Sequence, residues 1–523
     1  MRPQRSFPIV SILGLSLLTS ACQTLDALSS AEIDTLVAEA MRQFSVPGVA
    51  VGVIKDGAVV HAQGYGFLEI GLPEVVDENT LFRIASNSKA MTTAALAMLV
   101  DEGKLNWDDK VVQHIPDFQL YDDWVTQEFT VTDLLTHRSG LGLGAGDLML
   151  WPVPNHFTRQ DIIRGLRYFK PASSFRTQYD YDNQLYIVAG ELIPAVSGMQ
   201  WEEFVDEHIL GAMGARRCFA GNIPLSEMHN VAAPHAIVEG SLQVIERNRT
   251  RAAWSVSAAA GGVRCSLHDM LTWVDVQLDR GTLADGSQLF SAAQSRIMWS
   301  PMTIRKTSDA DFERDRTHFK AYGLGWRLAD VHGYKEVSHT GTFTGSMSYV
   351  TLIPELDLGV VVLINASAGN ARKAIMYSIV RAYLGVTDVN WVGYFSPDKE
   401  QADGAQTEYD EIDYRYGHVD APLSRYVGRY RDPWFGDVII RLEGDQLWFD
   451  SVKSPRMTGP LWPYREHTFI ARWSDRTLQG DAFVTFDGGA ADTADAISMR
   501  AASDDVDFSF NYGDLEFRRV GDE

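Results

Sequence analysis

The stretch RIASNSKAMTTAALAML, residues 83–99, constrains the fold more than any other part of the chain. Apolar residues follow Ser86 at almost every position, so the predicted helix has nearly no polar face before Gly103 can end it. A helix that is apolar all round is buried. Lys89 lies one turn after Ser86. Burying its ammonium there without a partner would cost several kcal/mol of folding free energy. The sequence therefore predicts that the lysine is paired with an acceptor, is neutral, or is retained for a chemical role.

Ser86 and Lys89 have the spacing of a nucleophile and its base. The hydroxyl and N–H of Ser86 are expected at the positive end of the helix, and Lys89 points back along the same face. A lysine deprived of water has a lowered pKa, and its neutral amine can take the proton of a serine. A capping serine beside an ordinary lysine is the alternative, and Ser396 with Lys399 shows that the spacing also arises by chance.

A second cluster, Tyr181 and Asn183, is the only Tyr-x-Asn of the chain. A phenol that reaches the serine can share its proton, and an amide can hold both the lysine and a substrate carbonyl. A loop tyrosine followed by a turn asparagine is the simpler interpretation. We predict that Tyr181 handles the proton and that Asn183 binds the substrate.

The third cluster, SHTGT, lies between two predicted strands and contains His339, Thr340, Gly341 and Thr342. We expect Gly341 to let a substrate strand approach the backbone, and the N–H of Thr342 to stabilise an oxyanion together with that of Ser86. His339 and Thr340 are expected to bind a substrate carboxylate or to orient Lys89. Because histidine titrates near pH 6.5, about its ordinary pKa, this attraction would weaken as the pH rises.

Composition narrows the function classes. The formal net charge of -23 argues against a nucleic-acid partner, since phosphate binding needs a basic surface. No Cys and His set has the spacing of a zinc site, and neither metal nor cofactor is predicted. Cys218 and Cys265 are interpreted as single buried thiols, with a disulfide as the alternative in an oxidising compartment.

The first 22 residues have the layout of a secretory signal. Two arginines precede an apolar run that is too short to span a bilayer comfortably, and small residues and Cys22 follow it. The sequence LTSAC also resembles the bacterial lipoprotein box, in which Cys22 would be lipidated. Simple cleavage near Ala21 is the alternative. We expect export to the periplasm or cell envelope, with a membrane tether if Cys22 carries lipid.

With 523 residues, the chain is too long for one core. The patterns predict an α+β fold in residues 30–390, an antiparallel sheet flanked by helices with a helical insertion at about 106–300. A polar, acidic linker is expected at 391–420. Short alternating runs at 421–523 predict a small antiparallel β-barrel, whose role the sequence leaves open.

The three clusters, in this order, resemble the penicillin-recognising serine hydrolases, a superfamily of class C beta-lactamases, D,D-peptidases and D-aminopeptidases. The resemblance covers about residues 32–384, including TVTDLLTHRSGL and AAAGGVRCSLHDM. It implies a beta-lactamase-like fold and an acyl-enzyme on Ser86, with a structural role for His137. The terminal barrel is similar to the lipocalin-like domain of many bacterial members.

The resemblance also orders the possible activities. Efficient beta-lactamases of this class usually carry lysine where His339 stands, and histidine is the variant of peptidase-like members. We therefore expect a peptidase that acts on peptide-like amides, including linear peptides with D-residues. A carboxylesterase is the first alternative, and a beta-lactamase or a penicillin-binding protein without turnover is the second. The expected partner is a small-molecule or peptide substrate.

Overall fold

The computed structural model describes residues 28–245, 256–396, 417–488 and 493–521. The predicted signal peptide with Cys22 and most of the predicted linker lie outside these ranges. Within them, no helix has both the length and the apolar character needed to cross a membrane.

Strands and helices are numbered along the chain. The strands are β1 (Gly48–Lys55), β2 (Ala58–Gly66), β3 (Phe82–Arg83), β4 (Cys218–Phe219), β5 (His235–Val238), β6 (Ser241–Val244), β7 (Arg264–Cys265), β8 (Thr303–Arg305), β9 (Lys320–Tyr322), β10 (Arg327–Val331), β11 (Tyr334–Phe343), β12 (Ser346–Ile353), β13 (Leu358–Ile364), β14 (Gly428–Asp432), β15 (Gly436–Glu443), β16 (Gln446–Ser451), β17 (Thr458–Arg465), β18 (Thr468–Ala471), β19 (Ala482–Asp487), β20 (Ala496–Ala501) and β21 (Glu516–Val520). The helices are α1 (Ser30–Gln43), α2 (Ser88–Asp101), α3 (Val111–His114), α4 (Asp123–Glu128), α5 (Val131–Leu135), α6 (Arg159–Gly165), α7 (Gln184–Ser197), α8 (Trp201–Phe204), α9 (Ala258–Gly261), α10 (Leu267–Leu278), α11 (Ala292–Met298), α12 (Asp309–Asp315), α13 (Gly369–Tyr383) and α14 (Trp391–Phe395).

A large antiparallel sheet organises the described residues up to 396, which we call the sheet domain. Its strand order is β2-β1-β13-β12-β11-β10-β9-β8. Every residue of the central strand β13 is buried, because α13 packs on one face of the sheet and α10 on the other. Asp56 and Gly57 join β1 to β2 with φ of 52° and 68°, as a two-residue hairpin of this twist requires.

The helices between β2 and β8 form a second layer that holds α2. As its apolar pattern predicts, α2 is buried, and α7 and α9 pack against it. The short sheet β3-β7-β4 lies in the same region. It pairs Cys218 with Cys265, and the two form a disulfide. The expectation of single thiols is wrong, because residues far apart in sequence become direct neighbours in this sheet.

The C-terminal strands β14 to β21 form a closed antiparallel barrel, in which β21 pairs with β14. Its wall docks on the sheet domain through aromatic contacts, with ring centres 5.0 Å apart for Phe169 and Trp434 and 5.6 Å apart for Phe157 and Phe435. The predicted α+β class, with an antiparallel sheet, a helical insertion and a terminal barrel, is confirmed.

Candidate active site

A cavity of about 310 Å³ lies where the sheet domain meets the barrel. The sheet domain lines it with Ser86, Asn183 and Thr340, among others, and the barrel adds a loop that contains Phe508 and Ser509. The cavity therefore has one wall from each part of the molecule.

Ser86 lies in a single 3-10 turn, Ala85–Asn87, that leads directly into α2. Ala85 has φ of 48°, a region that residues other than glycine rarely adopt and that is often found beside functional groups. Two side chains fix this turn. Ser88 donates to the Ala85 carbonyl at 2.7 Å, and the Asn87 amide donates to the Ser348 hydroxyl at 2.7 Å. The nucleophile candidate is thereby held at the cavity surface.

Lys89 is fully buried and surrounded by acceptors. Its Nζ lies 3.2 Å from Ser86 Oγ, 2.7 Å from Asn183 Oδ1 and 2.9 Å from the Ala260 carbonyl oxygen. Burial lowers the pKa of Lys89 to about 7, although Asp147 opposes the shift. When the amine is neutral, two N–H groups satisfy Asn183 and Ala260, and its lone pair is left for the Ser86 proton. This arrangement makes Lys89 a suitable general base.

Tyr181 and Asn183 reach the same point from the beginning of α7. The carboxylate of Asp182 accepts the N–H of Leu185 at 3.2 Å, so the Asn183 side chain is not needed to cap the helix. Lys89 Nζ lies 4.8 Å from the centre of the Tyr181 ring. Burial raises the pKa of Tyr181 well above its ordinary value, so its phenol keeps its proton and is a donor rather than a base.

Asp147 connects the side-chain amide of Asn183 to the barrel through hydrogen bonds. Its Oδ2 accepts the Asn183 amide N–H at 2.8 Å and the Ser509 hydroxyl at 3.0 Å. Because the amide nitrogen faces Asp147, the amide oxygen faces Lys89. Burial raises the pKa of Asp147 well above its ordinary value. A residue of the barrel thus takes part in the hydrogen-bond chain that ends at the lysine.

The structure corrects the role expected of His339. Its imidazole is fully buried, with nitrogens 3.0 Å from the Tyr322 hydroxyl and 2.7 Å from the Thr340 carbonyl oxygen. Burial, together with the charge of Arg327, holds the pKa of His339 well below its ordinary value. A neutral, enclosed imidazole does not attract a carboxylate, so His339 supports the strand rather than the substrate.

Gly341 also has a different role from the one expected. A Cβ at this position would collide with the Ile84 carbonyl oxygen and the Ser348 hydroxyl. The missing side chain therefore makes room for the segment that leads to Ser86. Thr342 lines the cavity, and Arg372 fixes this strand end by donating to the Gly341 carbonyl at 2.6 Å.

Two arginines occupy the part of the cavity where the histidine was expected to act. Arg327 Nη1 donates to the Thr340 hydroxyl at 2.8 Å, while its buried Nε has no hydrogen-bond partner among the described residues. Arg305 stands 5.1 Å from the centre of the Tyr179 ring. Neither guanidinium forms an ion pair within the described ranges. Positive charge near Thr340 thus comes from arginine.

His137 packs within this site without facing the serine. Its ring centre lies 4.2 Å from that of Tyr181, and its Nδ1 accepts the Asp182 N–H at 3.1 Å. Burial, with the charge of Lys89 nearby, lowers the pKa of His137 well below its ordinary value. This placement agrees with a structural role.

Several groups of the site are not evident from the three sequence clusters. Arg327 interrupts an apolar strand pattern and Asp147 interrupts the run GLGLGAGDLML, so both leave a signal in the sequence. The Ala260 carbonyl leaves none, because a backbone acceptor is independent of residue type. Arg305 and Ser509 lie in polar stretches, where nothing distinguishes them from surface residues.

A serine at a strand-to-helix turn, with a buried lysine one turn later and a tyrosine beside it, defines a class of serine hydrolases that use lysine as base. The beta-lactamase family profile matches residues 33–384, and the chain belongs to that family. The barrel, residues 418–519, matches a domain of unknown function, DUF3471.

Named relatives match the chain at low identity. The chain is 26% identical to unguisins hydrolase ungD' of Aspergillus campestris over 424 residues, 77% of this chain and 76% of the relative. It is 24% identical to protein flp of Staphylococcus aureus over 355 residues, 66% of this chain and 65% of the relative. The octameric penicillin-binding protein homologue from Pyrococcus abyssi has a TM-score of 0.58 and 21% identity, covering 94% of this chain and 100% of that one. This last likeness concerns the fold.

Proposed function

We propose that this protein hydrolyses peptide-like amides through an acyl-enzyme on Ser86. The observation that carries the proposal is the surrounding of Lys89, whose Nζ lies 3.2 Å from Ser86 Oγ while two fixed acceptors occupy its other directions. An uncharged lysine in this position is a base that needs no metal or cofactor.

The steps follow from these groups. Neutral Lys89 takes the Ser86 proton as Oγ bonds to the substrate carbonyl carbon, and the carbonyl electron pair moves to oxygen. The N–H groups of Ser86 and Thr342 are the proposed donors to that oxyanion. Tyr181 gives its proton to the leaving nitrogen as the C–N bond breaks, and Lys89 returns a proton to the phenol. In deacylation, water attacks the ester carbonyl carbon as neutral Lys89 takes its proton. The C–Oγ bond then breaks, Lys89 returns the proton to Ser86 Oγ, and the carboxylic acid product leaves.

A protonated phenol favours amides over esters. An alkoxide can leave without a proton, whereas an amine requires one. The phenol of Tyr181, whose residue lines the cavity, is the group proposed to supply that proton. We therefore rank peptidase activity above carboxylesterase activity, and beta-lactamase activity or stable penicillin binding below both.

The substrate end near Thr340 is proposed to carry a free carboxylate. Arg327 donates to Thr340, and its remaining N–H groups are available to a ligand. Arginine binds carboxylates through two parallel hydrogen bonds, and a dry cavity strengthens them. Short peptides with a free C-terminus, including those with D-residues, have this chemistry.

Export to the cell envelope is proposed as well. The disulfide between Cys218 and Cys265 supports an oxidising compartment, where such bonds persist. Lipidation of Cys22 would add a membrane tether.

The test compares the wild-type protein with Ser86→Ala on matched amide and ester substrates. Ser396→Ala is the matched control, because Ser396 belongs to the other Ser-x-x-Lys of the chain. We expect Ser86→Ala to abolish turnover and the mass increase left by a fluorophosphonate, while the control retains both. Turnover at the wild-type rate in Ser86→Ala would refute the proposal, and faster ester than amide acylation would favour the esterase.

A further inference from the structure

We propose that Arg305 and Arg327 form two neighbouring carboxylate subsites, so that the preferred substrate ends in an acidic residue. The inference rests on the proposed function, which supplies the substrate, but it concerns recognition rather than chemistry. It predicts a preference for two negative charges at the anionic end of the ligand.

Basic side chains outnumber acidic ones in the lining of the cavity. Among the described lining residues, four are arginines and one is acidic, Asp507, whose carboxylate accepts the Ser509 N–H at 2.9 Å. Arg456 is neutralised by Asp475, with an N to O distance of 2.7 Å. Arg83 stands 5.9 Å from the centre of the Phe343 ring. Arg305 and Arg327 are the lining arginines that concern the proposal.

These two guanidiniums line the same cavity, where their like charges repel each other. Arg305 has a lowered pKa, first because it is buried and then because of the charge of Arg327. Arginine does not lose its proton in proteins, so both charges persist. No carboxylate of the described residues pairs with either group. A ligand carboxylate would relieve both the repulsion and the missing hydrogen bonds.

The strand arrangement separates the two groups into distinct subsites. Arg327 begins β10 and Arg305 ends β8, and β9 lies between them. Tyr322 of β9 pairs with Arg327 on one side, whereas Arg305 pairs with Lys320, two residues further along. The backbones are thus two strands apart, roughly 9 to 10 Å. One carboxylate near Thr340 and Arg327 leaves Arg305 for a second.

The proposed preference can be measured by binding without turnover. In a Ser86→Ala protein, titration calorimetry would compare N-acetyl-alanyl-glutamate with N-acetyl-alanyl-glutamine, each with the last residue in the L and D forms. We expect the glutamate peptide of at least one form to bind about 10- to 100-fold more tightly, the range of a desolvated charged hydrogen bond. Equal affinities for both pairs would overturn the proposal.

Substitutions then assign the preference to its residue. Arg305→Gln should bring the ratio of the affinities for the glutamate and glutamine peptides to about one. Lys306→Gln, which removes the adjacent exposed charge outside the cavity lining, should leave the ratio unchanged. If Arg305→Gln does not fold, Arg305→Lys keeps the charge without the planar fork and should lower the ratio. A ratio that persists in the Arg305 variants refutes the assignment. Acylation of wild-type Ser86 is measured separately, so either proposal can fail alone.

Discussion

The cavity contains two basic residues, Lys89 and Arg327, that share the same dry surroundings but differ in the proton they keep. Lys89 lies on a helix among three acceptors, and burial brings its pKa to about 7. Arg327, on the sheet, is half-buried. Burial lowers its pKa as well, but the neighbouring tyrosines, Tyr179 first, outweigh this effect and raise the pKa, so the guanidinium keeps its charge. In the same cavity, the lysine is therefore suited to accept a proton, whereas the arginine is suited to bind an anion.

The comparison also explains why the residue types are not interchangeable. Lysine can lose its proton at moderate cost, so it suits a position where a serine must be activated. Arginine has a planar fork of donors that fits a carboxylate and does not titrate. The following experiments test that division of roles, in order of decreasing effect.

Replacement of Lys89 gives the largest expected effect. Lys89→Met keeps the length of the side chain and removes the base, and we expect Ser86 acylation to slow by about 10²- to 10⁴-fold, the range of general-base catalysis. Lys89→Arg should not restore the rate, because a guanidinium keeps its proton. Stopped-flow acylation with a chromogenic substrate measures both variants, and a near-normal rate in Lys89→Arg would contradict this role.

Replacement of Arg327 should affect recognition instead. The measured quantity is the ratio of kcat/KM for a peptide with a free C-terminal carboxylate to kcat/KM for the same peptide with a C-terminal amide. We expect Arg327→Gln to lower this ratio by about 10- to 100-fold. The same ratio in Lys89→Met should stay as in the wild-type protein, since that lysine does not bind the carboxylate. If the two peptides respond equally to Arg327→Gln, the arginine is structural.

The pH dependence of acylation should follow the protonation of Lys89. Because the neutral amine is the active form and the pKa of Lys89 is about 7, acylation should rise as the pH increases through 7. Below that value it should fall about tenfold per pH unit. The ratio of kcat/KM for the free-acid peptide to kcat/KM for its amide, which depends on Arg327, should stay constant between pH 6 and 9. An acylation rate that falls as the pH rises through 7 would show that the charged lysine is required.

The sequence predicted the parts of this site that depend on local patterns. Ser86 and Lys89 were evident because a short turn and the helix that continues it place them three positions apart. Tyr181 and Asn183 were evident because their spacing occurs only once in this chain. The role of His339 was mispredicted, since neighbouring strands and rings decide that its imidazole is enclosed. The disulfide was missed for a similar reason, because pairing across the chain has no local signature.

The smallest expected effect comes from the barrel. Ser509 donates to Asp147, and this hydrogen bond favours the charged form of a carboxyl group whose pKa burial has raised. Ser509→Ala should therefore make Asp147 less negative, and the pKa of Lys89 should fall as a result. The acid limb of the pH profile of acylation should then move to lower pH, with a rate change of about 2- to 10-fold on that limb. Ser503→Ala, in the same loop region but outside the cavity lining, is the control. If the barrel only covers the cavity, Ser509→Ala will leave the position of the limb unchanged, whereas a shift shows that this domain tunes the base from outside the sheet domain.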